Sequence, residues 1–177
     1  FLYLGRIMKE KGIDELFYAV RHLKKENENF VLDLVGFFED EYKEQVKELE
    51  KHSIAHFYGF QSDPRPFYIE ADCIVLPSYH EGMSNVILEA AATGRPVITS
   101  NIPGCRESVE NGKSGLLVEV KNKEMLYDAM KEMLHCSREE REQMGQAGRE
   151  KMEREFRKEV VVEKTVQSLR EDEKRDF

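Results

Sequence analysis

Cysteine is scarce in this 177-residue chain: Cys73, Cys105 and Cys136 are odd in number and widely spaced. They form no Cys-x-x-Cys pair, so neither a disulfide framework nor a zinc site is implied. A reducing, cytoplasmic setting is the expectation. Positive charge is also short, with 27 Lys and Arg against 35 Asp and Glu, a net charge of −8 at pH 7. That acidity argues against broad nucleic-acid binding, which needs a cationic surface, but it leaves room for a local cationic pocket around one phosphate ligand. No apolar run approaches the ~18 residues needed to cross a bilayer. A Gly-x-Ser-x-Gly nucleophile elbow is missing, and so is the Gly-x-x-x-x-Gly-Lys-Ser/Thr phosphate loop. No cluster of His, Asp and Glu has metal-ligand spacing, so neither a metal site nor a cofactor is expected.

What is present is an alternation of apolar runs with helical patterns. "FLYL" (1–4), "FVLDLVG" (30–36), "IAHFYG" (54–59), "CIVLPS" (73–78), "PVITS" (96–100) and "GLLVEV" (115–120) read as strands, the third the weakest. From Ile13, apolar residues recur at Leu16, Phe17, Val20 and Leu23, which is helical spacing. "DEYKEQVKELEKH" (40–52) reads as an exposed charged helix. Asp63 is placed to cap a short helix with Pro64 at its first position. Met83 to Thr93 reads as a helix stopped by Gly94. Strands alternating with helices predict parallel pairing in an α/β, Rossmann-like doubly wound sheet of about six strands. Apolar throughout, "CIVLP" suits a strand buried on both faces. The chain then turns helical: Lys123 to Leu134, a helix capped by Ser137 with Glu140 as its capping-box partner, and a last helix from Lys158 to Arg170. Residues 137–177 thus form a C-terminal helical segment, with the end, "REDEKRDF", expected to fray. No internal repeat or interdomain linker is visible, and residues 1–177 read as one domain. Because "FLYLG" is a strand already under way with no initiator Met, the sequence is expected to be a fragment lacking its natural N-terminal part.

The stretch "YHEGMSNVILEAAATGRPVITS" (79–100) sets Glu81 before a helix and Glu89 inside it. Ligands of doubly wound sheets bind at the carboxyl ends of the strands. The backbone N–H groups from Gly82 to Asn85 are therefore expected to point unpaired at that edge, where a helix N-terminus favours an anion. Glu89 lies about 7–8 Å along the helix axis from Glu81's loop, a fitting reach from a diphosphate to the ribose of the same nucleotide. On spacing alone, two ordinary solvated helix-end glutamates are the plainer reading. "LGRIMKEKG" changes that balance, because it places Arg6 and Lys11 in the loop after the first strand, on the same edge. Two cations facing a helix N-terminus make a diphosphate clamp. Of the five histidines only His80 falls near this site, and a surface role is its simpler reading. The acidic runs Glu39–Glu41 and Glu171–Glu173 read as solvated, and Met125, Met130, Met133 and Met144 as helix packing.

With "GRIMKEKG", "ADCIVLPSYHEGMSNVILEAAATGRPVITS", "PGCRESVENGKSGLLV" and "MGQAGREKMEREF" in order along nearly the whole chain, the sequence resembles the C-terminal, nucleotide-sugar-binding domain of family-4 retaining glycosyltransferases of the GT-B fold. The capsular and O-antigen polysaccharide branch is the most similar. The resemblance implies that Arg6 and Lys11 bind the donor diphosphate. It implies that Glu81 and the backbone of Gly82, Met83, Ser84 and Asn85 hold the donor sugar and phosphates, that Glu89 holds the ribose, and that the base rests near Phe60 and Gln61. Arg6, Lys11 and Glu81 are the implied catalytic set, with no metal. Two departures stand out: "VGFFED" has Phe38 where many relatives have the second glycine of Gly-x-Gly, so that loop is expected to approach the donor less closely, and "EGMS" replaces the common "EGFG". The implied function is retaining transfer of a sugar from a nucleotide diphosphate, a UDP-sugar by the branch, to a hydroxyl acceptor in surface polysaccharide synthesis. The implied partners are an N-terminal acceptor domain of the same protein and a lipid-linked saccharide at the inner membrane face. A GT-B-fold nucleotide-sugar epimerase and a non-catalytic nucleotide-sugar-binding domain are the alternatives.

Overall fold

The computed structural model describes residues 1–173. Among them, β1 (Leu2–Leu4), β2 (Leu32–Val35), β3 (Ala55–Gly59), β4 (Ile74–Leu76), β5 (Val97–Ser100) and β6 (Gly115–Val118) form a single sheet in the order β3-β2-β1-β4-β5-β6. Every neighbouring pair is parallel. The doubly wound α/β sheet expected from the alternating pattern is therefore the fold. Strands β4 and β5 are buried at every position, as continuous apolar runs in a covered parallel sheet must be. Strand β3, at one edge of the sheet, alternates between shielded residues (Ala55, Phe57, Gly59) and exposed ones (His56, Tyr58). That explains why it reads as the weakest strand.

Among the described residues there are seven α-helices, α1 (Ile13–Lys25), α2 (Lys43–Lys51), α3 (Arg65–Glu70), α4 (Asn85–Ala92), α5 (Lys123–His135), α6 (Arg138–Glu155) and α7 (Lys158–Glu173), and a single 3-10 turn at Lys9–Lys11. Ile13, Leu16, Phe17, Val20 and Leu23 are all fully buried, so the helical spacing marks the core face of α1. Helix α1 packs on α5 and helix α4 on α6. The Ser137–Glu140 capping box is formed in both directions.

Several boundaries shift for local reasons. Helix α2 begins at Lys43 rather than Asp40, because Asp40 is drawn away to accept the Lys9 N–H at 2.8 Å. At α3, Pro64 and not Asp63 occupies the capping position. The Asp63 carboxylate still accepts the Arg65 N–H, at 3.1 Å, so it satisfies a free donor of the first turn from one residue further out. Helix α4 starts at Asn85, two residues later than Met83. No helix joins β5 to β6; residues 101–114 cross there as turns and bends. In the methionine stripe, Met130 and Met133 are buried while Met125 is exposed. The end expected to fray is helical as far as Glu173, and residues 174–177 lie outside the described residues.

Candidate active site

Strand order reverses direction between β1 and β4, and a crevice opens at the carboxyl ends of strands flanking such a switch point. Two loops meet there: Gly5–Gly12 after β1 and Pro77–Ser84 after β4. Their contact is direct. The Tyr79 N–H donates to the Glu10 carbonyl at 2.8 Å. Gly12 has φ +72°, and a Cβ there would sit 2.1 Å from the Pro77 carbonyl oxygen, so only glycine lets the two backbones come together. The first loop is also held from beneath. Tyr3, fully buried, donates its hydroxyl to the Arg6 carbonyl at 2.5 Å; burial, then the nearby Glu81 charge, pushes this phenol above its ordinary range. The Tyr79 hydroxyl donates to both oxygens of Glu15, at 2.9 and 2.8 Å, and burial followed by that carboxylate raises its pKa.

These loops bring Lys11 and Glu81 together. Lys11 Nζ lies 2.6 Å from Glu81 Oε1, and the two side chains are only 16% and 13% exposed. Arg6, on the same loop, turns to Glu39 at 2.8 Å, a pair 48% and 43% exposed. Solvent screens such a pair, and it contributes little to stability. Hence Arg6 and Lys11 share the loop but each faces its own carboxylate. The Glu39–Glu41 run is not simply solvated, since Glu39 and Asp40 both tie onto the β1–α1 loop. Phe38 packs against Phe57 with ring centroids 4.7 Å apart, leaving Phe37 half exposed at that turn.

At the start of α4 the expectation of free amides from Gly82 to Asn85 holds for three of the four. The Ser84 N–H donates to the Gly104 carbonyl at 3.1 Å. Among the described residues, the N–H groups of Gly82, Met83, Asn85 and Val86 have no partner. Gly82, Met83 and Asn85 are exposed, on the loop and helix start that follow β4. Behind them runs the loop after β5, which the sequence patterns left without a role. Gly104 has φ +86°, and a Cβ there would lie 1.6 Å from the Gly82 carbonyl oxygen. Its own N–H is held by Glu107 Oε2 at 2.8 Å. The Pro-Gly turn in "IPGC" was the available signal; what it packs against was not.

Glu89 is exposed on α4 and accepts from the buried Tyr68 hydroxyl at 2.9 Å through Oε2. Its Oε1 accepts nothing from the described residues. Burial, then the Glu89 charge, raises the Tyr68 pKa, so the phenol stays a donor. Phe60 and Gln61 follow β3, on the same carboxyl edge two strands beyond β1. Phe60 is 71% exposed, while the Gln61 amide donates to the Tyr58 carbonyl at 2.8 Å. His80 is exposed. Among the described residues, no three or more His, Cys, Asp or Glu side chains are grouped to hold a metal ion, and no helix is long and apolar enough to cross a membrane.

The paired Lys11 and Glu81 and the open amides of Gly82, Met83 and Asn85 thus belong to the loops after β1 and β4, at the switch point of the sheet, the place where doubly wound sheets take their ligands. The chain belongs to the family described as Glycosyl transferases group 1, whose profile matches residues 1–151. It is 30% identical over 164 residues to the capsular polysaccharide biosynthesis glycosyltransferase CapM of Staphylococcus aureus, covering 91% of this chain and 43% of that protein. The crystal structure of the C-terminal domain of LpcC, a group 1 family glycosyl transferase of Francisella tularensis, superposes with a TM-score of 0.74 at 27% identity, covering 89% of this chain and 85% of that one. Alr3699/HepE of Anabaena, solved in complex with UDP, superposes with a TM-score of 0.81 at 20% identity, covering 96% and 48%. Structural neighbours of this kind are GT-B glycosyltransferases, so the doubly wound sheet is a GT-B type Rossmann unit. The chain spans about half the length of the curated relatives it matches.

Proposed function

We propose that this chain is the donor-binding half of a two-domain, family-4 retaining glycosyltransferase that takes a nucleotide-diphosphate sugar, a UDP-sugar in the first place. The observation that carries the reading is Lys11 paired at 2.6 Å with Glu81, the residue directly before the open amides of Gly82 and Met83, at the switch point of the sheet. A diphosphate between Lys11 and these amides receives a cation on one side and backbone donors on the other. Arg6 swings from its exposed pair with Glu39 to add a second cation. Glu81 accepts from hydroxyls of the donor sugar, Glu89 Oε1 from the ribose, and the base lies along Phe60 and Gln61. In transfer, the bond between the anomeric carbon and the diphosphate oxygen breaks and its electrons stay with the diphosphate. The acceptor hydroxyl oxygen bonds that carbon on the same face, and its proton leaves to the diphosphate. Charge grows on the departing group where Lys11, Arg6 and the helix start are already in place, which is where electrostatic stabilisation is most effective.

The acceptor side belongs to an N-terminal domain outside this chain, and a lipid-linked saccharide of surface polysaccharide synthesis at the inner membrane face is the acceptor this reading favours. CapM, by its name a capsular polysaccharide enzyme, supports that choice. The test is calorimetric titration of the chain with UDP, GDP and uridine in the presence of a chelator. Tighter binding of a diphosphate than of uridine is expected. Loss of binding with 2′- and 3′-deoxy nucleotides, and with Glu89→Gln, assigns the ribose to Glu89. Equal affinity for UDP and uridine overturns the diphosphate site.

A further inference from the structure

Of the ion pairs among the described residues, Lys11–Glu81 is the only one in which both side chains are less than one-fifth exposed. Its partners are 70 residues apart in sequence and lie on two loops locked to each other. Glu81 directly precedes the open amides of Gly82 and Met83, yet it accepts from neither of them and spends Oε1 on Lys11 alone. The amides at the start of α4 are therefore open while the neighbouring cation, Lys11, is occupied by a carboxylate of the protein itself.

We propose that Glu81 is a latch on the donor site: it holds Lys11 where a diphosphate will bind, and an incoming diphosphate must displace it. The inference rests on the donor-site reading above and adds how that site is regulated. A phosphate carries several acceptor oxygens and satisfies Lys11 and the α4 amides together, whereas Glu81 reaches only Lys11, so the exchange favours the diphosphate. The exchange has a cost, because a shielded carboxylate that loses its cation must find new donors. Sugar hydroxyls attached to the diphosphate are the nearest source. The latch thus weakens binding of a diphosphate that brings no sugar, and it keeps Lys11 positioned while the site is empty.

Titration of UDP into four forms of the chain tests this: wild type, Glu81→Gln, Lys11→Met and the double variant, a complete cycle for the pair. The glutamine is isosteric, and the methionine keeps the buried lysine stem; Lys11→Gln replaces it where thermal unfolding shows that Met does not fold. The latch requires Glu81→Gln to bind UDP roughly tenfold more tightly than wild type, by freeing a charged hydrogen bond. Lys11→Met should bind at least about tenfold more weakly, and Glu81→Gln should add nothing in the Lys11→Met background. A gain that persists without Lys11 means that Glu81 acts by general repulsion, and this overturns the latch while leaving the donor site intact. Unchanged or weaker binding by Glu81→Gln overturns the latch as well. Wild-type chain that binds neither UDP nor GDP, or Lys11→Met that binds UDP like wild type, overturns the donor-site reading and the latch with it.

Discussion

Substituting Gly104 by alanine probes whether the β5–β6 loop builds the proposed donor site or merely borders it. Two costs add at this position. The residue sits at φ +86°, and a left-handed conformation costs a non-glycine residue about 1–2 kcal/mol. The new Cβ would also fall 1.6 Å from the Gly82 carbonyl oxygen and 2.7 Å from that of Glu81. Both obstacles are backbone atoms, so no rotamer change relieves the overlap, and the two loops must part. Forced overpacking of this kind costs about 1–3 kcal/mol more. Gly112 supplies the control within the same connection: its φ is +75°, but nothing lies within 4 Å of the place its Cβ would take. For a domain of this size each kcal/mol lowers the unfolding midpoint by about 2–4 °C. Gly112→Ala should therefore lose roughly 2–8 °C and Gly104→Ala roughly 4–20 °C, read by circular dichroism on heating. Separation of the loops also removes the Gly104 carbonyl from the Ser84 N–H and disturbs the amides of Gly82 and Met83. UDP affinity should accordingly fall about tenfold or more in Gly104→Ala and stay unchanged in Gly112→Ala, a loss set by the charged hydrogen bonds displaced. Equal midpoints and equal affinities for the two variants would refute the claim that this loop buttresses the site.

Arg6→Ala should leave the unfolding midpoint within about 1 °C, because its pair with Glu39 is exposed and weak, yet reduce UDP affinity by roughly tenfold while sparing uridine; an equal loss for both ligands places Arg6 away from the diphosphate. The cysteines should differ in reactivity. Burial pushes the Cys73 thiol up to about 12 and the Cys105 thiol up to about 11. A raised thiol pKa means less thiolate at a given pH, so at pH 8 only about one Cys105 in a thousand is ionised. Half-buried Cys136, also raised by burial, should be the first alkylated in the native chain, with the other two following only on unfolding; mass spectrometry of time-quenched samples decides it, and labelling of Cys105 as fast as Cys136 contradicts the assignment.

The fold class was legible in the sequence because its signals are local. Burial on both faces writes an unbroken apolar run at β4, core packing writes the 3.6-residue period of α1, and a cap needs only Ser137 and a glutamate three residues on. Each of these acts within a few residues, so the chain declares it before any tertiary contact exists. The places of the proposed site residues Arg6, Lys11, Glu81 and Glu89 were legible for the same reason: they flank strand ends and a helix start that the pattern already locates. Their partners were not. That Lys11 meets Glu81 rather than standing free beside Arg6 follows from β1 lying beside β4, that Asp40 captures the Lys9 amide and shortens α2 follows from β1 lying beside β2, and that Gly104 takes up the Ser84 amide follows from the loop after β5 folding back against the start of α4. Strand adjacency and loop-to-loop approach depend on contacts between residues 20 to 70 apart, and no periodicity or propensity spans that distance. Residue type and local position came from the sequence; which charges neutralise one another, and which amides remain open to a ligand, was decided by the tertiary structure.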